Sequence, residues 1–381
     1  MSAPWLDSMP STWRQIALQY LATVGTGSKD TVNAVEDGEH PFIVRSAEPL
    51  AIDTFTFDTE AILTAGDGAV GEIFHHIKGK FDAHQRVYVI HDFQGIDGRY
   101  LYWYFSSEFR RAVSYGGAQT TVASLRRSMF TTFPVAVPPP NVQRLIADFL
   151  DRETREIDVM IGKLDGLADQ LRTLHRTNLV ALGHQLCSPG PSARVGLLLT
   201  KRSRAVRPDD GVVTAFRDGQ VALRSRRREK GFTMSFSEAG YQGVEPGDFV
   251  FHGLDGFAGA VGVSEDRGKV SPVYHVCTAT PLASERFMAW ALRALAANGF
   301  LEAYAFSVRQ RSVDFRNWAT FAGLPITYIP LDEQVRLADR LDEVTEKIDA
   351  MLAKVAELKA LLIERRTALI TDVVTGRKEV A

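Results

Sequence analysis

Cysteine is nearly absent: the chain of 381 residues has two, Cys187 and Cys277. Two thiols make neither a disulfide framework nor, alone, a zinc finger. Long apolar runs are missing too. The longest near the start, Ile16 to Val24, is broken by Gln19 and falls far short of the ~18 residues a membrane span needs. No basic stretch leading into an apolar one and a small-residue cleavage site opens the chain, so no secretory signal is expected. Charge of one sign is not in excess either: 44 Lys and Arg face 46 Asp and Glu, for a net charge of -2. With 45% hydrophobic and 24% charged residues, the composition excludes disordered, collagen-like and membrane classes. The expectation is a soluble cytoplasmic protein without membrane association. At this length it should have more than one domain, because a single core rarely grows past roughly 250–300 residues.

Catalytic motifs are missing as well. A phosphate-binding loop needs GxxxxGK followed by Ser or Thr. Gly79-Lys80 is followed by Phe81 and has Phe74 in place of the first glycine, and Gly268-Lys269 is followed by Val270. No GxGxxG follows a strand and opens a helix. The Asn/Asp-Pro-Pro-aromatic motif of an amino-methyltransferase is absent, since the one Pro-Pro run, Pro138 to Pro140, leads into Asn141. His75-His76 with His84, and His275 with Cys277, are conceivable metal ligands, but both read more simply as packing. Asp209, Asp218 and Glu229-Lys230 lack the Glu-x-Lys spacing of a nuclease carboxylate set. No catalytic or metal site is assigned.

The charge balance hides a local asymmetry. From Arg194 to Lys230 the chain carries Lys201, Arg202, Arg204, Arg207, Arg217, Arg224, Arg226, Arg227 and Arg228, opposed by Asp209, Asp210, Asp218 and Glu229. A solvated loop is one reading; a phosphate-contacting face is the other.

What is present above all is a repeat. PPNVQRLIADFLDRETREIDVMIGK from Pro139 aligns without gaps with PLDEQVRLADRLDEVTEKIDAMLAK from Pro330, 191 residues on. Gln143 matches Gln334, Asp148 matches Asp339, Asp151 matches Asp342, Thr154 matches Thr345, and Met160 matches Met351. At the same offset Gln119 pairs with Gln310, Phe130 with Phe321 and Pro134 with Pro325; with a small gap, Trp103 falls near Trp290. The chain is two tandem units, each a mixed globular part followed by a long helix.

The helices carry a seam. Leu337, Leu341, Val344, Ile348, Met351, Val355, Leu358 and Leu362 alternate steps of four and three, and Ile146, Leu150, Ile157, Met160, Leu164, Leu167, Leu171 and Leu174 keep that register with Glu153 as the one polar position. A sustained heptad predicts a coiled coil, and because the chain must return between the helices, an antiparallel one. The alternative is that each seam packs on its own globular part. Prolines 138–140 suit a helix start, and Gly183 with Ser188-Pro189-Gly190-Pro191 marks its exit. Strands are expected at Phe57–Leu63, Arg86–Ile90, Asp248–Phe251 and Val273–Val276, and short helices at Tyr100–Arg111 and Glu285–Ala297. The fold class is therefore α+β: two mixed α/β domains at 1–138 and 188–329, separated by helices at 139–187 and 330–381.

Two globular units, each closed by a Pro-rich turn, a Gln and a long heptad helix, resemble the specificity subunit of type I restriction–modification systems. The second copy, LPITYIPLDEQVRLADRLDEVTEKIDAMLAKVAELKALLIERRTALITDVVTGRKEV, is the closer match; in the first, Asn141-Val142 precede Gln143 where an acidic residue is usual. Trp13-Arg14 followed by Thr26-Gly27, FDAHQR from Phe81, GKVSPVY from Gly268, HGLDGFAGAVG from His252 and VRQRSVDFRNW from Val308 resemble parts of target recognition domains. The resemblance implies a non-catalytic subunit. Each recognition domain would read one half of a bipartite double-stranded DNA target, and the helices would set the gap and dock modification subunits that methylate adenine. Restriction subunits would join the full complex. S-adenosylmethionine, ATP and Mg would be held by those partners and no cofactor by this chain.

The physical reading agrees. Leu337 to Leu362 spans 25 residues, about 38 Å at ~1.5 Å per residue, close to the roughly 34–36 Å between half-sites one DNA turn apart. The repeat offers two equivalent docking faces, hence two modification subunits. For DNA contacts, Gln119, Thr120, Thr121, Arg126 and Arg127 in the first unit and Arg309, Gln310, Arg311, Arg316 and Asn317 in the second stand at equivalent places before the helix. Gln119 and Gln310 could instead cap a turn. Arg86 is a further candidate in the first unit; Lys201, Arg202, Arg224, Arg226 and Arg227 are phosphate-binding candidates in the second. The competing readings are a coiled-coil protein scaffold without DNA specificity, an enzyme with an unrecognised site, and a specificity subunit of an orphan methyltransferase.

Overall fold

A computed structural model of the chain describes residues 4–7, 9–68, 70–115, 125–227, 239–305 and 314–380. Its contacts divide it into two units, Met1–Leu164 with Glu357–Ala381, and Asp165–Ala356.

In the first unit a six-stranded sheet runs in the order Thr23–Thr26, Val87–His91, Phe57–Ala65, Phe74–Ala83, His40–Ile43, Leu50–Ile52. Every pairing is antiparallel except that of His40–Ile43 with Phe74–Ala83. Phe57–Ala65 is central because its second half, Ala61 to Ala65, is buried throughout. Helix α1, Gly98–Tyr115, lies in the same core. It starts where the Asp97 carboxylate accepts the backbone N–H groups of Arg99 and Tyr100, partners that the first turn otherwise lacks. Tyr100, Leu101, Tyr104, Phe105 and Phe109 recur at helical spacing, and all are at most 1% exposed. Phe109 meets Phe105 at 4.4 Å and Phe130 at 4.8 Å between ring centroids.

The second unit has a different sheet. Four antiparallel strands run Leu199–Lys201, Tyr274–Ala279, Phe249–His252, Val261–Val263, beside two ribbons, Val213–Ala215 with Val221–Leu223 and Gln242–Val244 with Gly268–Val270. Among the long helices, α2 is Pro140–Leu186 in chain order, α3 is Glu285–Ala297 and α4 is Leu331–Val374. Helix α3 has the bounds expected from sequence and is capped by the Ser284 hydroxyl. Helix α1 extends beyond its expected ends, and the four expected strands are present with ends shifted by at most three residues. In each unit a short antiparallel ribbon closes the globular part: Arg14–Ala17 with Pro134–Val137, and Ser192–Arg194 with Pro325–Thr327. Pro134 and Pro325 are the matched positions of the repeat.

The long helices enter both units. In the first, Ile370, Val373 and Val374 near the end of α4 share a core with Ile146, Ala147 and Leu150 near the start of α2, and Arg366 Nε lies 3.3 Å from Asp158 Oδ1. In the second, Leu179, Leu182 and Leu186 near the end of α2 share a core with Leu337, Ala338 and Leu341 near the start of α4. The ends pair in antiparallel order. These seam residues also join the cores of the globular parts, which was the alternative arrangement.

The expected seam is corrected by one position along its middle. Ile146, Leu150, Ile157, Leu171, Ile348 and Val355 are buried, and Leu164, Leu337, Leu341, Val344 and Leu362 are half-buried. Met160, Leu167, Leu174, Met351 and Leu358 are 40%, 43%, 50%, 52% and 49% exposed. Ile161, Ala168 and Leu352 are turned inward in place of three of them, and buried Thr154 replaces Glu153, its hydroxyl donating to the Leu150 carbonyl at 2.6 Å. At these places two neighbouring residues both suit a heptad, and an α-helix drifts about 20° per heptad, so spacing alone cannot choose between them.

Candidate nucleic-acid interface and its anchorage

The matched residues of the repeat converge on one construction, built once in each unit. Gln143, 2% exposed, accepts the Asp97 N–H at 2.7 Å and donates to the Pro138 carbonyl at 2.8 Å. Gln334, 1% exposed, accepts the Ser284 N–H at 3.1 Å and donates to the carbonyls of Ile329 at 2.7 Å and Leu282 at 3.0 Å. Asp97 and Ser284 are the residues that cap α1 and α3, so each glutamine ties the start of a long helix to the start of the helix in its globular part.

One turn further along, a second tie follows. Arg99 reaches Asp148 at 2.8 Å and Asp151 at 2.9 Å, and Trp103 Nε1 donates to Asp151 Oδ1 at 2.8 Å. In the second unit Arg286 reaches Asp339 at 2.9 Å, its Nε donates to Asp342 Oδ2 at 2.9 Å, and Trp290 Nε1 donates to Asp342 Oδ1 at 2.6 Å. The Asp pairs and the tryptophans stood out in the sequence only as repeated letters. Arg99 and Arg286 were missed there. Their signal was an Arg-x-x-x-Trp on the short helix that recurs together with Asp-x-x-Asp on the long one.

Gln119, Thr120, Thr121, Arg309, Gln310 and Arg311 lie outside the described residues. Arg126 and Arg127 are exposed at the start of a short helix, Arg127–Thr131. Arg316 forks onto Asp314, and the Asn317 side chain caps the short helix Trp318–Ala322 by accepting from Ala319 N at 2.8 Å. Lys201 stands 5.8 Å from the centre of the Trp318 ring, so two candidate stretches far apart in sequence meet; Arg202 Nε donates to Thr278 Oγ1. In the first unit Lys78 and Lys80 are exposed on the strand Phe74–Ala83, with Lys80 4.4 Å from the centre of the Phe55 ring.

The basic stretch of the second unit is less positive in space than along the chain. Asp248 pairs with Arg204, Glu245 with Arg207, Asp255 with Arg217, and Asp266 with Arg226. Arg227 pairs with Asp218 at 2.7 Å and lies over Phe216, and Arg224 Nε donates to Thr214 Oγ1 at 3.3 Å. Four of the acids come from 245–266, beyond the basic segment.

Arg86 is paired with Asp67 at 2.6 Å, and Arg45 reaches the same carboxylate at 2.8 Å. The two hydrogen bonds, from Arg45 first and then Arg86, hold the Asp67 carboxyl below the usual carboxylate range. A depressed folded value gives stability that is present above the unfolded value, roughly 3.9, and is lost as pH falls through the folded one. Urea titrations between pH 2 and 6 should therefore show wild type losing stability more steeply in acid than Asp67→Asn. Parallel curves would show that the anchor contributes nothing.

His84, His275 and Cys277 are buried, and His75 and His76 are half-buried. His275 Nε2 donates to the Phe315 carbonyl at 2.7 Å, and burial pushes the Cys277 thiol up to about 12. His76 meets Glu60, and His84 accepts from the Arg86 N–H. Among the described residues no group of three or more His, Cys, Asp or Glu is placed to hold a metal ion, and no helix is long and apolar enough to cross a membrane.

Residues 10–167 match the family model of the type I restriction modification DNA specificity domain. The specificity subunit of the Escherichia coli type I restriction enzyme EcoDI is 30% identical over 171 residues, which are 45% of this chain and 38% of that protein. The match thus spans less than two-fifths of the relative's length. Among solved structures, a chain from work on complex assembly and conformational transition of the type I R-M system covers 96% of this chain and 98% of its own, with a TM-score of 0.69 and 13% identity. The HsdS subunit of Thermoanaerobacter tengcongensis covers 97% and 98%, with a TM-score of 0.56 and 14% identity. At such identities these two structures establish the fold.

Proposed function

We propose that this chain, which carries a type I restriction modification DNA specificity domain at residues 10–167, is the DNA-recognition subunit of a type I restriction–modification complex. The observation that carries the reading is the repeated anchorage: two globular parts with different sheets are fastened to two long helices by the same Gln and Arg/Trp–Asp contacts. Two different readers on one scaffold suit a target with two different halves. Each would place exposed cations and polar residues on DNA: Arg86, Arg126 and Arg127 in the first unit, Lys201, Arg202, Arg316 and Asn317 in the second, with 119–121 and 309–311 completing them. Arg224, Arg226 and Arg227 would contact phosphates at the cost of exchanging their carboxylate partners. Chemistry would reside in partners: methylation of adenine with S-adenosylmethionine on modification subunits, and ATP- and Mg-dependent cleavage on restriction subunits. The complex would work in the cytoplasm.

The exposed apolar residues of the helices support docking of modification subunits, one per unit. Val159, Met160, Leu358, Leu361 and Ile363 belong to the first unit, and Leu167, Leu174 and Met351 to the second. Burying a methionine on association contributes about 1.5–3 kcal/mol, so Met351→Lys should weaken the binding of one modification subunit by about tenfold or more. Its melting temperature should not change. Titration of the purified subunits measures this, and unchanged affinity would move the docking face elsewhere.

The recognition role is tested by mapping methylated adenines genome-wide in a strain with active partner subunits, with this chain present and deleted. Loss of one bipartite motif with a fixed gap is the expected result. An unchanged map would sink the reading.

A further inference from the structure

We propose, resting on that functional reading, that the Arg–Trp–Asp clamp of each unit is a positioning device for gap length: it decides how strictly the spacing between the two half-sites is measured. The clamp has two points on each helix. Arg99 and Trp103 are one turn apart on α1; Asp148 and Asp151 are three residues apart on α2, on the same face. A single contact would let the short helix pivot, whereas two contacts a turn apart fix the crossing angle. The guanidinium fork adds orientation to distance, because its planar donors accept a carboxylate in few geometries.

Arg286, Trp290, Asp339 and Asp342 repeat the arrangement residue for residue, although Arg286 meets the second aspartate through Nε where Arg99 uses a terminal nitrogen. The globular parts that they hold share no sheet order: six strands in one unit, four strands and two ribbons in the other. What both parts share is the angle-fixing contact. The Arg and Asp side chains are partly exposed, between 32% and 63% accessible in the first unit, so they do not fill the core; Trp103 and Trp290, 7% and 6% exposed, do belong to the cores and bring their indole N–H groups to the carboxylates. Holding an angle matters for a reader. On a lever of about 20 Å, the scale of a ~100-residue domain, a tilt of about 10° displaces the tip by about 3.5 Å, close to the ~3.4 Å step of one base pair.

The test uses the full chain in a strain carrying its partner subunits, with adenine methylation mapped for wild type, Asp342→Asn, Trp290→Phe and Asp151→Asn. Asp342→Asn keeps the size of the side chain and loses the charge that grips Arg286. Trp290→Phe keeps the ring and loses only the N–H. Expected are the same two half-site sequences in every strain, one gap in wild type, and in the variants additional methylation of sites with a gap one base pair longer or shorter, at a tenth or more of the main occupancy. Methylation at the wild-type gap shows that a variant has folded. Where Asp342→Asn is silent, Trp290→Phe decides. A gap as strict as wild type in folded variants overturns the proposal, as does a change in half-site sequence without change in gap. If wild type itself yields no bipartite motif, the functional reading fails, and the clamp proposal fails with it.

Discussion

Replacing Gln334 by leucine is expected to destabilise the second unit by about 3 kcal/mol or more, because it strands three backbone groups at once. The Ser284 N–H and the carbonyls of Ile329 and Leu282 all end on this one amide, and each buried group left without a partner costs about 1–3 kcal/mol. Gln143→Leu should behave alike in the first unit, where Asp97 N and the Pro138 carbonyl lose their partner. The two losses should add, since they fall in separate units. Gln334→Glu separates hydrogen bonding from size. A carboxylate would face two carbonyl oxygens, so its folded pKa must rise above its unfolded value. The native state then binds the extra proton, and stability falls as pH rises through that window. Denaturant unfolding at pH 4 and pH 8 reads both effects. A Gln334→Leu loss under about 1 kcal/mol, or a Gln334→Glu variant indifferent to pH, would show that the amide is not the hub described.

Gly27→Ala is expected to be as severe, for a steric reason. An added Cβ would lie 2.0 Å from the Ala83 carbonyl oxygen and 2.6 Å from that of His84. Both are backbone atoms at the end of the sheet strand Phe74–Ala83, where Lys29 N also donates to Ala83 and Gln85 N to Lys29. Neither chain can yield without breaking these bonds, so a loss of about 3 kcal/mol or more is expected. Gly166→Ala in α2 is the control. Its Cβ would meet nothing within 4 Å, and alanine in a helix is favoured over glycine by about 0.5–1 kcal/mol. Thermal melts of both variants should therefore move in opposite directions. Two shifts of the same sign would refute the close approach at Gly27.

Much of the fold was legible because its signals are local or repeated. The Pro-Pro start of α2, the bounds of α3 and the two-unit plan follow from turn chemistry, apolar period and ungapped identity. The anchorage was half legible: Gln143, Gln334, Trp103, Trp290 and the Asp pairs were visible as repeats, but a repeat says that residues matter without saying what they touch. Met160, Leu167 and Met351 were misplaced because an adjacent apolar residue fits the heptad equally well, and only the packed neighbours choose between them; Leu358, between Glu357 and Lys359, has no such neighbour and is exposed all the same. The basic stretch misled in a related way, since the acids that pair with it come from 245–266.

The sequence by itself determined the duplication, the two long helices with their antiparallel order, and the lack of recognisable catalytic motifs, because periodicity, caps and internal identity act over short stretches of chain. Tertiary structure alone decided which helix face is buried, which cations keep a carboxylate partner, and that Arg99 and Arg286 grip the long helices. Those outcomes depend on groups dozens of residues apart meeting within about 3 Å, the reach of a hydrogen bond, and sequence spacing carries no such distance.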